Sequence, residues 1–448
     1  MKRPSLRYAE RFLTLGHLFR MASPEAEFSP SSSNRKLILA GQIAFLPTGI
    51  LTTLLGPMLP ILIARWAMND TQAGNLFLVQ FLASLVGVQL SGVLLARWGF
   101  RPALLLGLLL MACGVATLYM GSLWLGLAAV AAYGLGLGLI IPTDNLLIAE
   151  IGSSSGSGPS SNDSSCDGSS DSSSNGSRDS SRASSRASAV SLLNFFWGVG
   201  AVFCSLMVAW TAAHRLLPFF LGAVALFLVL LALAMRNLSF PAAAKSSEAK
   251  SGEAKSAEWS ASSSWREMAK SPTIWLFSAV FFLYPGAETA VGGWIGSFVS
   301  RLGSRGAAMS SIMPAFFWSA LTVGRAFGTA FLHHFPERRV LRAGCAAGAA
   351  GIGLMLWAPA LAGVIAGALI TGLSFSTLYP ITVARLSERF GVAARSIGSV
   401  MFSLAAVGPA VIPWMVGVIS HATGSLRAGL LLPLGATVIL FVIHLFEW

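Results

Sequence analysis

LLPFFLGAVALFLVLLALAM, residues 216–235, is twenty residues long, has no charged side chain and is bounded by Arg215 and Arg236. A helix of this length, rising about 1.5 Å per residue, crosses a hydrocarbon core about 30 Å thick. Eleven further apolar stretches of similar length lie on either side of it in the chain. The sequence therefore predicts a protein that crosses the bilayer many times.

The composition supports the same interpretation. The chain has 448 residues, of which 54% are hydrophobic and only 11% charged, and its mean hydropathy is +0.70. These values lie outside the range of soluble globular domains. The net charge of +12 is spread over the segments between apolar stretches rather than gathered in one basic patch, so we expect the bilayer, and not nucleic acid, as its partner.

Twelve apolar stretches define an all-α membrane fold with twelve spans, which are numbered here in chain order. The predicted spans 1 to 12 are 38–62, 73–96, 102–121, 124–151, 189–210, 216–236, 272–300, 308–332, 340–358, 360–384, 396–420 and 426–446.

The segments between spans differ in charge. The amino-terminal segment and the loops after even-numbered spans hold 24 of the 30 Lys and Arg residues. Basic loops stay on the cytoplasmic side of a membrane, so we expect both termini in the cytoplasm. The opening segment is basic but has no apolar run followed by a cleavage site, so we do not interpret it as a signal peptide. A plasma membrane or a bacterial inner membrane fits best.

A weak internal repeat relates the two halves of the chain. Gly134, Pro142 and Glu150 precede Gly372, Pro380 and Glu388 by a constant offset, and similar pairs relate spans 2 and 8 and spans 5 and 11. We therefore predict two pseudo-symmetric six-helix bundles. The expected segments are a cytoplasmic tail 1–37, a first bundle 38–236 with a disordered Ser-rich loop 153–188, a cytoplasmic linker 237–271, and a second bundle 272–448.

One segment resembles a signature of the major facilitator superfamily. It is Gly92-Val-Leu-Leu-Ala-Arg97-Trp-Gly99-Phe-Arg101, between spans 2 and 3, and the resemblance implies that Gly92, Arg97, Gly99 and Arg101 help to gate the cytoplasmic side. The acidic residue of the signature is missing, because Ala96 stands in its place.

Further segments are similar to the fucose and glucose permease branch of that superfamily and its fungal and bacterial relatives. They are Asn145-Leu-Leu-Ile-Ala-Glu150, Leu193-Asn-Phe-Phe-Trp197-Gly198, Tyr284-Pro-Gly-Ala-Glu288 with Gly293-Trp294, and Tyr379-Pro380. Fucose permease carries an acid in its first helix and another a few residues before the fourth-helix Asn. Here span 1 has no acid and Asp144 adjoins Asn145, which leaves the ion and the sugar open.

Only two acidic residues lie well inside predicted spans, Asp144 in span 4 and Glu288 in span 7. A carboxylate at mid-bilayer costs roughly 2.5–3.5 kcal/mol on insertion scales, so each should face a water-filled cavity, pair with a cation or carry a proton. We expect both to couple transport to protons. Glu288, roughly 24 Å from the cytoplasmic end of its span, is the deeper of the two.

Arg325 is the one Lys or Arg residue well inside a predicted span, about seven residues from the cytoplasmic end of span 8, since Arg236, Arg342 and Arg427 lie at span ends. Two interpretations are open. It pairs with Asp144 at similar depth and contributes to gating, or it extends along the helix to the cytoplasmic surface.

Sugar recognition needs polar groups for hydroxyls and an aromatic face for the ring. Residues of both kinds occur on spans expected to line a cavity. The candidates are Gln42, Asn145, Asn194, Trp197, Tyr284, Trp294, Trp318 and Tyr379.

Other functions fit less well. The sequence has no nucleophile–base pair, phosphate loop or cysteine spacing typical of an enzyme or a metal site, so we expect no catalysis, metal or cofactor. We predict a secondary transporter that moves a small polar solute, best a monosaccharide, together with protons. The alternative is a drug or metabolite exporter of the same fold.

Overall fold

The structure, a computed structural model, describes residues 32–154, 173–238, 240, 271–390 and 394–446. Throughout these ranges the ordered elements are helices. Spans 1 and 10 each consist of two helices, Ser32–Thr53 with Leu55–Trp66 and Leu361–Phe375 with Leu378–Phe390. Spans 2 to 9 are, in order, Asp70–Trp98, Phe100–Thr117, Leu123–Ser154, Ser173–Ala213, Leu217–Arg236, Pro272–Ser300, Met313–His334 and Glu337–Trp357. Spans 11 and 12 are Ala394–Thr423 and Leu426–Leu445. A short helix, Ser304–Met309, connects spans 7 and 8.

The helices have the length and apolarity that a bilayer requires. Ten of them can cross a membrane on these grounds, and the two helices of span 1, bent by 42° at their junction, form an eleventh crossing. Met313–His334 lies where the remaining span was predicted. The prediction of an all-α membrane fold of two six-helix bundles is confirmed.

The two bundles meet along three pairs of helices. Span 2 packs on span 11, span 5 on span 8, and the second helix of span 1 on span 7. We call the end of the molecule that carries the loops after odd-numbered spans the odd-loop end, and the opposite end the even-loop end.

Span 1 breaks at Leu54 for a local reason. Pro57 has no N–H, so the helix loses a hydrogen bond to the carbonyl of Thr53 at this point. The neighbouring carbonyl of Thr52 accepts a hydrogen bond from Gln80 Nε2 at 3.2 Å, and Gln80 Oε1 accepts one from the buried Tyr133 hydroxyl at 3.1 Å. The Gln80 amide, which Tyr133 holds in place, therefore bonds a backbone carbonyl next to the break.

Backbone meets backbone between the bundles near the odd-loop end. A methyl group at Gly56 would collide with the carbonyl of Gly292, one at Gly74 would lie 2.9 Å from the carbonyl of Trp414, and one at Gly417 would collide with the carbonyl of Asp70. Small residues permit this approach. We call these contacts the glycine seam.

Part of the Ser-rich segment extends the helix of span 5. Residues 173–188, expected to be disordered, are helical and continue directly into span 5. Helix propagation is far easier than nucleation, so a stable membrane span can extend into a polar sequence. The rest of that loop (155–172), most of the amino-terminal tail (1–31) and most of the linker (241–270) lie outside the described residues, and the segment boundaries stay predictions.

Candidate functional site

Glu288 lies in the middle of span 7 and is 9% exposed. Twelve residues separate it from the end of the helix at Ser300, or roughly 18 Å. Tyr284 lies one turn earlier on the same face, and its hydroxyl contacts Glu288 Oε2. The same hydroxyl lies 2.8 Å from the carbonyl oxygen of Phe375.

The break in span 10 makes this contact possible. In a continuous helix the carbonyl of Phe375 would accept a bond from the amide four residues later, but the helix stops at Phe375 and resumes at Leu378. The Tyr284 hydroxyl contacts this carbonyl oxygen instead. Tyr379, just after the break, stacks on Tyr284 with ring centroids 6.2 Å apart.

Arg325 of span 8 pairs with Glu288. Its Nη2 lies 3.6 Å from Glu288 Oε1, with side chains 21% and 12% exposed. This corrects both interpretations of Arg325, which neither pairs with Asp144 nor extends to the surface. Arg325 is twelve residues, roughly 18 Å, from the start of span 8, and because a short connection joins spans 7 and 8 at that end, it reaches the depth of Glu288.

Two tryptophans complete the site from both bundles. Trp197 of span 5 lies under the Arg325 guanidinium, 5.3 Å from its ring centroid, and meets Trp318 edge-to-face at 5.6 Å. Cation and ring attract at this distance. We call the following six side chains the central cluster: Trp197, Tyr284, Glu288, Trp318, Arg325 and Tyr379.

Two N–H donors in the central cluster have no acceptor in the described part of the chain. They are Arg325 Nε and Trp318 Nε1. Trp318 is 5% exposed, so water is largely excluded from it. A buried donor without an acceptor is costly, and functional sites are where such groups occur.

The other predicted solute-binding residues lie outside the central cluster. Trp294 is buried, donates its N–H to the Pro413 carbonyl at 2.9 Å and packs on Phe77, which gives it a structural contact near the odd-loop end. Asn145 bonds the carbonyl of Ile141 in its own helix at 2.8 Å. Gln42 is half-buried in span 1, and Asn194 is exposed on span 5.

Asp144 is fully buried in the half of span 4 towards the even-loop end. Neither carboxyl oxygen has a hydrogen-bond partner among the described residues, and the space beside it depends on Gly41 of span 1 having no side chain. A charged carboxylate in this place would be severely destabilising. No hydrogen bond or ion pair among the described residues links Asp144 to the central cluster.

The predicted gating residues lie at the even-loop end. Gly99 ends span 2 with φ of 80°, which glycine adopts without strain, and its N–H bonds the Leu95 carbonyl at 3.1 Å. Arg97 and Arg101 flank this turn and are exposed, as is Gly92. The turn brings both arginines to one surface, and their role in gating stays a prediction.

Comparison with known proteins agrees with this architecture. The sequence model of the Major Facilitator Superfamily matches residues 172–413, more than half of the chain. Bypass of stop codon protein 6 of Saccharomyces cerevisiae is 22% identical over 305 residues, which are 64% of this chain and 55% of that protein. The match thus spans about half of the yeast relative's length.

Solved structures share the fold at low sequence identity. A bacterial homologue of the human lysosomal transporter Spinster superposes with a TM-score of 0.69 and 13% identity, covering 93% of this chain and 97% of the other. The fucose:proton symporter FucP of E. coli gives 0.58 and 18%, covering 92% and 99%. Identities this low show the fold and no more.

Proposed function

Since the chain belongs to the Major Facilitator Superfamily, we propose that it moves a small polar solute, a monosaccharide, across the membrane by alternating access and couples this movement to protons. The observation that carries the proposal is the Glu288–Arg325 pair, at mid-depth where the two bundles meet. Buried ion pairs inside membrane spans are costly and mark transport pathways.

The charge on Glu288 sets the strength of this pair. A deprotonated Glu288 attracts Arg325, whereas a protonated one does not, so proton binding loosens the contact between spans 7 and 8. Arg325 also rests on Trp197 of the first bundle. Protonation at one residue thereby alters a contact between the bundles, which is what coupling requires.

Aromatic groups in the central cluster suit a sugar. The cluster brings together aromatic rings, from Trp197, Tyr284 and Tyr379, and free N–H donors, from Arg325 and Trp318. These are the two kinds of group that bind the C–H side and the oxygens of a pyranose. The fucose:proton symporter of E. coli, which shares the fold, transports a sugar together with protons and so supports this choice of solute and ion.

Orientation follows from charge. The basic even-loop end faces the cytoplasm, and the membrane is a plasma or inner membrane. The contacts between bundles described above lie at the odd-loop end and at mid-depth, so the structure is assigned to a state closed towards the outside.

Uptake into proteoliposomes tests the proposal. We expect a radiolabelled monosaccharide to accumulate only under an inward proton gradient, and Glu288→Gln to abolish accumulation while leaving exchange of internal for external solute intact. Glu337→Gln, at the exposed start of span 9, is the matched control. Accumulation by Glu288→Gln would refute the proton-coupling role, and the absence of any monosaccharide signal would favour the exporter.

A further inference from the structure

The buried cation of Arg325 restricts what can bind beside it. In the structure its counter-ion is Glu288, at 3.6 Å. A buried charge that loses its partner is strongly destabilised. If Glu288 takes up a proton during transport, Arg325 needs another negative group at that moment.

A neutral sugar cannot supply this group. Its hydroxyls accept hydrogen bonds but carry no charge, so a state with neutral solute and protonated Glu288 leaves Arg325 uncompensated. A carboxylate on the solute supplies the charge. It also accepts N–H bonds in the geometry that guanidinium groups prefer.

The orphan donors point the same way. Arg325 Nε and Trp318 Nε1 belong to side chains that both contact the Trp197 ring, and neither atom has an acceptor in the described part of the chain. A solute rich in acceptor oxygens satisfies both.

We propose that the solute is a sugar acid, whose carboxylate replaces Glu288 as the counter-ion of Arg325 while another of its oxygens accepts the Trp318 N–H. This inference rests on the proposed proton-coupled sugar transport and narrows its substrate class. One proton on Glu288 and one solute anion enter together, so the transported charge is zero.

The pH dependence involves few groups. Those facing Glu288 are Tyr284 on its own span, Arg325 on span 8 and Tyr379 on span 10. None of these three groups is negatively charged at neutral pH, so among them Glu288 supplies the negative charge beside the arginine. Replacing Glu288 by Gln should therefore permit carboxylate binding at every pH.

Binding of matched sugars to the purified protein, followed by tryptophan fluorescence, tests the inference. The probes are glucuronate against glucose and galacturonate against galactose. A charge-assisted contact is worth roughly tenfold or more in affinity, so at least one acid should bind about ten times more tightly than its parent. Arg325→Gln should remove the preference, and Glu288→Gln should make acid binding independent of pH.

Matched tryptophan variants test the orphan donor. Trp318→Phe keeps a ring but removes the N–H, so it should weaken uronate binding several-fold. Trp294→Phe is the control, because its N–H already bonds Pro413. It should leave uronate affinity unchanged even where it lowers the melting temperature. Equal loss of affinity in both variants would overturn the assignment of Trp318.

Transport measurements distinguish the sugar-acid inference from the proposed sugar:proton transport on which it rests. Proton-driven uronate uptake should be insensitive to a membrane potential set with potassium and valinomycin. Accumulation of neutral sugar alone, or uptake accelerated by an inside-negative potential, would overturn the sugar acid and leave sugar:proton transport standing. Accumulation of neither sugar class would overturn both.

Discussion

Arg301 and Asp70 join the end of span 7 to the start of span 2, with N–O distances of 3.0 and 2.5 Å. The Ser420 hydroxyl of span 11 donates to the same carboxylate at 2.5 Å. Asp70 is the first residue of a helix capped by Asn69, and Arg301 caps the end of another, so each charge also complements a helix dipole. The three residues tie the bundles together at the odd-loop end, and we call them the latch.

Removing the latch should favour opening at the odd-loop end. Arg301→Gln breaks a partly exposed pair worth about 1 kcal/mol, which shifts a two-state population roughly fivefold. The distance between spin labels at Ala213→Cys and Thr423→Cys, in a background without native cysteines, should show the increase. Arg305→Gln, four residues away, should leave the distribution unchanged, and an unchanged distribution in Arg301→Gln would contradict the latch.

Replacement of the buried Asp144 by asparagine should not destabilise the protein. Asparagine has almost the same shape and no charge, so Asp144→Asn should keep or raise the melting temperature in detergent. Because the proposed coupling uses one proton, on Glu288, Asp144→Asn should leave accumulation at one pH unit of gradient unchanged, whereas a roughly tenfold fall would show a second coupled proton on Asp144. Unchanged accumulation would restrict proton coupling to Glu288.

The amide that satisfies the break in span 1 should matter for stability. Tyr133→Phe leaves Gln80 Oε1 without its donor in an apolar interior, at a cost of roughly 1–3 kcal/mol. Gln80→Leu should also destabilise, since it leaves both Thr52 and Tyr133 unpaired. Thermal unfolding of the two single variants and the double variant should show losses that do not add, whereas strict additivity would mean that the two side chains act independently.

Close packing of spans 1 and 5 should depend on Gly49. A methyl group there would collide with the Trp197 carbonyl, beside the central cluster, so Gly49→Ala should cost roughly 1–3 kcal/mol by overpacking. Gly222→Ala is the matched control, because no atom lies within 4 Å of the added methyl. Similar melting temperatures for both variants would show that span 1 yields without cost.

The sequence was sufficient for the spans because the bilayer imposes a length that apolar runs reveal directly. The break at Leu54 was not predicted, although Pro57, which has no backbone N–H, is a signal for it in the sequence. Composition predicts disorder for residues 173–188, whereas the structure continues the helix of span 5 through them, because a helix, once formed, extends at little cost.

The partners of polar side chains were harder to predict. Trp294 was predicted to bind the solute, and in the structure its N–H donates to a backbone carbonyl of span 11. Arg325 was set against Asp144 because both seemed equally far from the cytoplasmic end. A helix that is hydrophobic on all sides has no polar face in its sequence, so the sequence does not show which side of the helix packs against which neighbour. Counting from the short loop between spans 7 and 8 would have matched Arg325 to Glu288.

The glycine seam has a mechanical consequence. Where backbones touch without interlocking side chains, two surfaces separate without forcing any rotamer to change, so little friction opposes the first movement. The side-chain contacts beside the seam, above all those of Asp70, then supply most of the free energy that opposes separation of the bundles at this end. The closed face is then held by a small number of side-chain contacts beside the seam, the Asp70 contacts together with the packing of Phe77 on Trp294, and the rate at which it opens should follow the strength of these contacts.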